Sequence, residues 1–151
     1  MDSMDSIDAS GTVIITGANG GLGSAFVEKF LQSSTPYYGV FTVRGRSASS
    51  SGTLENIVFK ASMPHCIVQL ELDNLASVRA FAKYVNLQVA TGKFPRIRAL
   101  VLNAARQSFK GIQLTADGYE ATFSINYIAN FVLVLLLLLS VYAPVLLRIY
   151  W

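Results

Sequence analysis

The stretch TVIITGANGGLG (12–23) places four glycines directly after a β-branched apolar run. A phosphate can bind the free N–H groups at the start of a helix, and glycine lets the backbone approach it closely. The run before the glycines predicts a strand, and apolar spacing over 23–34 predicts a helix. An ordinary glycine turn is the alternative, but the strand–loop–helix context favours a phosphate-binding loop. We assign the following residues to it: Gly17, Asn19, Gly20, Gly21, Leu22 and Gly23.

Strand and helix patterns alternate along the rest of the chain. Further strands are predicted at 37–43, 66–72 and 97–103, with helices at 54–61 and 73–89 and a long apolar helix over 115–143. Segment 44–53 is predicted to be a polar loop. This order predicts an α/β fold with a Rossmann-type doubly wound parallel sheet.

One domain is predicted over 1–151, with a disordered lead over 1–10. Residues 144–151 are predicted to be irregular or to form a makeshift strand beside the fourth strand. Within the long helix, spacing places Leu133, Leu136 and Leu137 on a stripe facing the sheet or a partner. The opposite, exposed side is predicted to carry the other leucines of this stretch: Leu135, Leu138 and Leu139.

Three motifs together resemble the short-chain dehydrogenase/reductase family. Thr16 and the glycine spacing match its TGxxxGxG loop. VLNAA (101–105) is similar to its NNAG segment, with Asn103 and Ala104 matching and Ala105 in place of glycine. The stretch 114–126 is similar to its DGxExxFxxN pattern, with these residues in place: Asp117, Gly118, Glu120, Phe123 and Asn126. The resemblance implies hydride transfer between a nicotinamide and a carbonyl or alcohol carbon, with Asn103 and Ala104 at the cofactor.

The second strand indicates which nicotinamide cofactor is preferred. An acidic residue at its end suits the ribose hydroxyl of NAD, whereas arginine suits the 2′-phosphate of NADP. The sequence there has Arg44 and Arg46 and no acid, which favours NADP over NAD. By resemblance Asp73 contacts the adenine ring. Asp73 could equally cap the next helix, and counting back from Ser77 would instead place Glu71 at the family position.

The family's catalytic chemistry depends on a tyrosine, a lysine four residues later, a serine and a supporting asparagine. A phenol needs a nearby cation to act as a base at neutral pH. Asn126 matches the supporting asparagine, but YxxxK occurs nowhere in the 151 residues. Whether this chain is an enzyme is therefore uncertain. The resemblance implies a sheet truncated after about four strands, in the order 3-2-1-4. It therefore predicts an NADP(H)-binding member of the family that is truncated and catalytically impaired. The alternatives are a non-catalytic nucleotide-binding module or inert fragment, and a fragment anchored in a membrane through 121–147.

Composition narrows the remaining classes of function. The net charge is only +3, and the basic residues are scattered, so no nucleic-acid partner is predicted. The single cysteine, Cys66, and the single histidine, His65, are interpreted as strand-edge residues, and no metal site is predicted. The first residues lack the pattern of a secretory signal, which favours the cytoplasm. The charge-free stretch 121–147 predicts a homo-oligomer through the 115–143 helix, with membrane association as the alternative.

Overall fold

The parallel sheet extends the prediction by one short strand. The computed structural model describes residues 9–45, 48–141 and 149–150; Arg46, Pro144 and most of the predicted disordered lead lie outside them. The strands are β1 (Thr12–Ile15), β2 (Tyr38–Val43), β3 (His65–Gln69), β4 (Ile97–Val101) and β5 (Ile149–Tyr150). All pairs are parallel, in the order β3-β2-β1-β4-β5. The predicted fold class and the order 3-2-1-4 are confirmed.

The short strand β5 lies at the edge that the prediction left uncertain. Its two residues pair with β4, Ile149 opposite Leu100 and Tyr150 opposite Val101. The described residues thus form the four predicted strands and β5, which is the makeshift strand that the prediction allowed beside the fourth strand. β5 covers the carboxyl half of β4 because that strand would otherwise present unpaired N–H and C=O groups.

Four helices pack on the sheet within the described residues. They are α1 (Gly21–Leu31), α2 (Ala48–Phe59), α3 (Leu75–Ala90) and α4 (Ala121–Ser140). The polar loop predicted over 44–53 is wrong from Ala48 onward, because α2 begins there. Serines and a glycine give that segment a low intrinsic preference for helix. Burial of Leu54 against the sheet supplies the tertiary stabilisation that such a helix needs.

Alternate residues of the central strands face two separate cores. Ile14 and Leu100 pack with α3 and α4 on one face, while Ile15 and Phe41 pack with α1 and α2 on the other. Because each central strand is covered on both faces, its residues are apolar on both sides. The sheet is therefore doubly wound, and all its strands end at the same edge, where loops can surround a ligand.

The helix α4 begins at Ala121, six residues later than predicted from 115. The segment before it forms a turn in which the N–H of Thr115 donates to the carbonyl of Tyr119 over 2.8 Å. Gly118 has φ +80°, a left-handed conformation that ends a helix or forms a turn. The Glu120 carboxylate then accepts from the N–H groups of Thr122 and Phe123 and so caps the helix.

The helix α4 is not uniform along its length. Its turns are α-helical over Ala121–Phe123, π-helical over Ser124–Ile128, α-helical over Ala129–Leu137 and 3-10 over Leu138–Ser140. Leu133 and Leu137 are buried, as predicted for residues that face the sheet, whereas Leu136 is 38% exposed. Leu136 lies at the edge of the stripe, where its carbonyl accepts from Asn86 of α3 over 2.9 Å.

Length and composition would allow α4 to cross a membrane. It has 20 residues, and 33% of its most apolar stretch is buried in the fold. A core helix of a soluble protein passes the same test, so a single helix of this kind is weak evidence for a membrane span. The outward side keeps several apolar groups in solvent, including Leu135, Leu138 and Leu139, as predicted.

Candidate cofactor-binding site

A cleft of about 510 Å³ lies at the carboxyl ends of the central strands. It brings together all the predicted cofactor-binding residues that the structure describes: Gly17, Asn19, Gly20, Gly21, Leu22, Gly23, Arg44, Asp73, Asn103 and Ala104. The crevice where strand order reverses, between β1 and β4, is the usual ligand site of such sheets. Sequence reasoning missed five members of the wall: Thr42, Leu70, Leu72, Arg106 and Ile125.

Two glycines of the loop are required by the protein's own packing. Gly17 has φ +64°, and a Cβ there would lie 3.0 Å from the Cα and Cβ of Ala104. A Cβ on Gly23 would lie 2.1 Å from the carbonyl oxygen of Gly17, a separation that no side chain tolerates. These residues therefore hold α1 close against the end of β1.

Gly21 has a different environment. It is the first residue of α1 and is exposed, and a Cβ there would meet nothing within 4 Å. No contact within the described protein requires glycine at this position. The absence of a side chain instead leaves room at the helix N-terminus for a group that approaches the backbone, as a phosphate does.

Asn103 ties the end of β4 to the glycine loop. Its Nδ2 donates to the carbonyls of Thr16 over 3.0 Å and of Gly17 over 3.2 Å. The adjacent N–H of Ala104 donates to Oγ1 of Thr16 over 3.0 Å. Asn103 thus braces the loop from a different strand. Ala105, which replaces the family's glycine, is exposed and lies on the cleft wall.

The third strand ends at Gln69, earlier than predicted, and the polar residues that follow it have different environments. Asn74, not Asp73, is the N-cap of α3, because its Oδ1 accepts from Ala76 over 2.9 Å and from Ser77 over 3.2 Å. The interpretation of Asp73 as the cap is therefore wrong. Asp73 is half-buried on the cleft wall, while the carboxylate of Glu71 accepts from Gln69. Contact between Asp73 and adenine remains a prediction.

Of the two arginines predicted to select NADP, the structure describes Arg44. Arg44 follows β2 and is exposed at the rim of the cleft. Arg46 lies outside the described residues. Among the described residues, Arg44 is the cation of the cleft next to β2. The adenosine half of a dinucleotide lies on this side of the sheet.

Asn126 lies in the π-helical turn of α4 and holds the loop after β4. Its Oδ1 accepts from the N–H of Arg106 and its Nδ2 donates to the carbonyl of Arg106, each over 2.8 Å. The guanidinium of Arg106 donates to Oε1 of Gln113. No motif marks Arg106, and only its position three residues after Asn103 could have suggested it.

Two other titratable groups lie away from a catalytic arrangement. Burial raises the pKa of the Cys66 thiol, so the reactive thiolate is disfavoured. His65 and Cys66 begin the edge strand β3, as interpreted from the sequence. Among the described residues no cluster of three metal-ligating side chains occurs.

Curated proteins with similar sequences are short-chain dehydrogenases. The chain is 40% identical over 139 residues to the short-chain dehydrogenase iccH of Talaromyces variabilis, covering 89% of this chain and 38% of that protein. It is 32% identical over 138 residues to retinol dehydrogenase 14 of Homo sapiens, covering 84% of this chain and 39% of that protein. No family model matches the chain.

Solved structures place the fold in the same group. The NADPH-bound carbonyl reductase from chicken fatty liver is 26% identical, with a TM-score of 0.70 over 87% of this chain and 52% of that one. Sequence and fold together confirm the resemblance to the short-chain dehydrogenase/reductase family. A metagenomic short-chain oxidoreductase in complex with NADP, 22% identical, shares the fold with a TM-score of 0.68 over 87% of this chain and 56% of that one. The chain spans 38% of the length of its fungal relative and 39% of the length of the human one.

Proposed function

We propose that this member of the short-chain dehydrogenase/reductase family binds NADP(H) in the cleft beside the glycine loop. The open space at Gly21, at the N-terminus of α1, carries the proposal. Gly17 and Gly23 hold that N-terminus in place, so the N–H groups and the helix dipole can receive a pyrophosphate. The NADPH-bound chicken carbonyl reductase, with its similar fold, supports this assignment.

Different side chains around the cleft would contact different parts of the cofactor. Arg44, with Arg46 as a second candidate, would pair with the 2′-phosphate, and Asp73 would face the adenine. Asn103 and Ala104 would lie between the pyrophosphate and the nicotinamide half. When bound, NADPH supplies a hydride to a carbonyl carbon. The residues of this chain would bind and orient the cofactor.

Cofactor choice is tested by titrating the purified chain with NADPH and NADH. We expect NADPH to bind more tightly, because a guanidinium pairs with the extra phosphate. Arg44→Ala should weaken NADPH binding by ~1.5–3 kcal/mol, the range for hydrogen bonds to charged groups, and leave NADH binding unchanged. Arg46→Ala tests the second arginine in the same way. Arg79→Ala, on the exposed side of α3, is the matched control. Equal affinities for both nucleotides in the parent chain would contradict the proposal.

Catalysis is proposed to be impaired in these 151 residues. Asn126 is present, but no tyrosine has a lysine four residues later. Without that cation a phenol keeps a pKa near ~10 and is a poor base at neutral pH. We expect negligible NADPH oxidation with a panel of ketones, aldehydes and quinones. Robust turnover that disappears in Asn126→Ala would show that another residue acts as the acid.

A non-catalytic nucleotide-binding module is the second candidate function. It is favoured by the same observation, a complete glycine loop without YxxxK in this sequence. Sequencing the transcript beyond the codon for Trp151 separates the two. A downstream reading frame with YxxxK would assign the chain to a longer oxidoreductase, whereas its absence would favour the module.

The partner of α4 is proposed to be a second copy of the chain in the cytoplasm, with membrane association as the alternative. Phe123, Tyr127 and Phe131 stack along its outer side, with ring centroids 5.2 and 6.4 Å apart. Each of the three is more than half exposed. Exposed apolar surface of this kind favours association over a monomer.

A further inference from the structure

Arg106 provides a positive charge at the end of the cleft farthest from β2. It follows β4 and lines the cleft together with Ala105 and Ile125. In a doubly wound sheet the adenosine half of a dinucleotide lies toward β2, so the wall after β4 borders the nicotinamide half and whatever reacts there. Arg106 is therefore placed at the substrate end rather than at the 2′-phosphate.

The backbone of Arg106 is held independently of its side chain. Both hydrogen bonds from Asn126 reach the main-chain N–H and carbonyl of Arg106, each over 2.8 Å. The guanidinium itself donates to a neutral amide, Gln113. A neutral partner orients the guanidinium and adds no opposite charge of its own. Guanidinium groups also have further donors in a planar fork that matches a carboxylate.

The other charges around Arg106 leave it available for an anion. Glu120 is the neighbouring carboxylate, and the charge of Arg106 contributes to its lowered pKa, but both of its oxygens accept from the N–H groups of Thr122 and Phe123 at the start of α4. Among the described residues that line the cleft, the one acid is Asp73, which follows β3 on the opposite side of the sheet order. The walls near Arg106 are apolar, since Ile125 and Ala105 form them.

We propose that Arg106 selects carbonyl substrates that carry a carboxylate on an apolar body. This rests on the proposed binding of NADP(H) in the same cleft. The carboxylate pairs with the guanidinium, and the apolar body packs against Ile125 and Ala105. The loop that continues from Arg106 exposes Phe109 and Ile112, which extend the apolar surface available to a larger ligand.

The experiment compares two aryl ketones that differ in charge, phenylglyoxylate and its methyl ester. Each is titrated by calorimetry or ligand-observed NMR into the full chain, with and without saturating NADP⁺, which cannot donate a hydride. We expect the acid to bind about tenfold more tightly than the ester in the parent chain. Arg106→Leu should remove that preference and leave ester and NADP⁺ binding unchanged, while Arg106→Lys should retain part of it.

Two controls keep the result interpretable. Arg79→Leu removes a cation from the exposed side of α3 and should change nothing. Thermal unfolding should show that Arg106→Leu is folded, because Asn126 binds only the backbone of residue 106. Gln113→Leu keeps the charge but removes the amide that orients it, and an intermediate loss of acid preference is expected.

Each outcome separates this inference from the proposed cofactor function. Equal binding of acid and ester by the parent chain under both conditions overturns the role of Arg106. An Arg106→Leu variant that loses NADP⁺ as strongly as the acid also overturns it and assigns the arginine to the cofactor. An acid preference that persists in a parent chain unable to bind NADP⁺ supports the role of Arg106 and contradicts the proposed function.

Discussion

At the scale of single residues, the glycines of one motif serve two different purposes. Gly23 is needed because its Cα lies against the carbonyl of Gly17, which a Cβ would overlap. Gly21 has open space around it, so a methyl group there disturbs nothing in the protein. The first requirement comes from folding and the second from the proposed ligand. Substitution can separate them, because stability and binding respond differently.

The first of these predictions compares alanine at the two positions. Gly23→Ala should lower the free energy of unfolding by ~1–3 kcal/mol, the range for overpacking a tight interior. Gly21→Ala should leave stability unchanged or raise it slightly, because alanine favours the helix, yet weaken NADPH binding. Urea unfolding measures stability, and nucleotide titration measures binding. Unchanged NADPH affinity in Gly21→Ala would show that the backbone at Gly21 does not approach the phosphates.

At the scale of secondary structure, the start of α4 is set by a single capping carboxylate. The N–H of Phe123, and next that of Thr122, lower the pKa of Glu120, and the nearby Arg106 adds to the effect. These N–H groups have no acceptor within the first turn of the helix. The ionised carboxylate therefore stabilises the start of α4, the helix that carries Asn126.

A pH prediction follows from this lowered pKa. The pKa of Glu120 is lower in the folded state than in the unfolded state. Ionised Glu120 therefore stabilises the fold at any pH above its unfolded-state pKa. That contribution is lost as the pH falls through the folded-state pKa. Glu120→Gln should therefore be less stable than the parent at pH ~7, and the difference should shrink toward pH ~3. Urea unfolding across this range measures it. A difference that stays constant with pH would mean that capping charge is not the cause. Glu55→Gln, an exposed position on α2, is the control.

At the scale of the whole molecule, the outer side of α4 is an apolar surface that the described fold leaves uncovered. Its inner residues Leu133 and Leu137 are buried, whereas Phe131 and Leu139 are 54% and 90% exposed. Apolar surface of this extent drives association when a partner surface is available. The same helix could also adsorb to a membrane. A second copy of the chain and a membrane can be distinguished by experiment.

Association is predicted to depend on this outer side. Phe131→Glu combined with Leu139→Glu should convert a dimer or larger assembly to monomer, measured by sedimentation velocity. Phe59→Glu replaces an aromatic that is 91% exposed on α2, which packs on the other face of the sheet, and should not change the assembly. In cells, a membrane pool of the parent chain that resists carbonate washing would favour a spanning helix. A monodisperse soluble monomer of the parent would contradict both partners.

The strand order 3-2-1-4 followed from the family resemblance. The sequence by itself determined the order of elements and the glycine loop. These features depend on local spacing: apolar runs of strand length, helical periodicity and glycines between a strand and a helix. Boundaries were less well determined. Helix α2 begins in a serine-rich segment because Leu54 is buried, and α4 begins late because the turn around Gly118 precedes its cap.

Only the tertiary structure decided which distant residues meet at the cleft. Asn103 braces a loop 86 residues earlier in the chain, and Asp117 accepts from the N–H of Leu75, 42 residues away. Arg106 is held by Asn126 in the π-helical turn, which no periodicity indicated. Sequence periodicity records which face of an element is apolar. The pairing of polar groups across the sheet edge depends on where folding brings separate strands and loops together, so it becomes visible only in three dimensions.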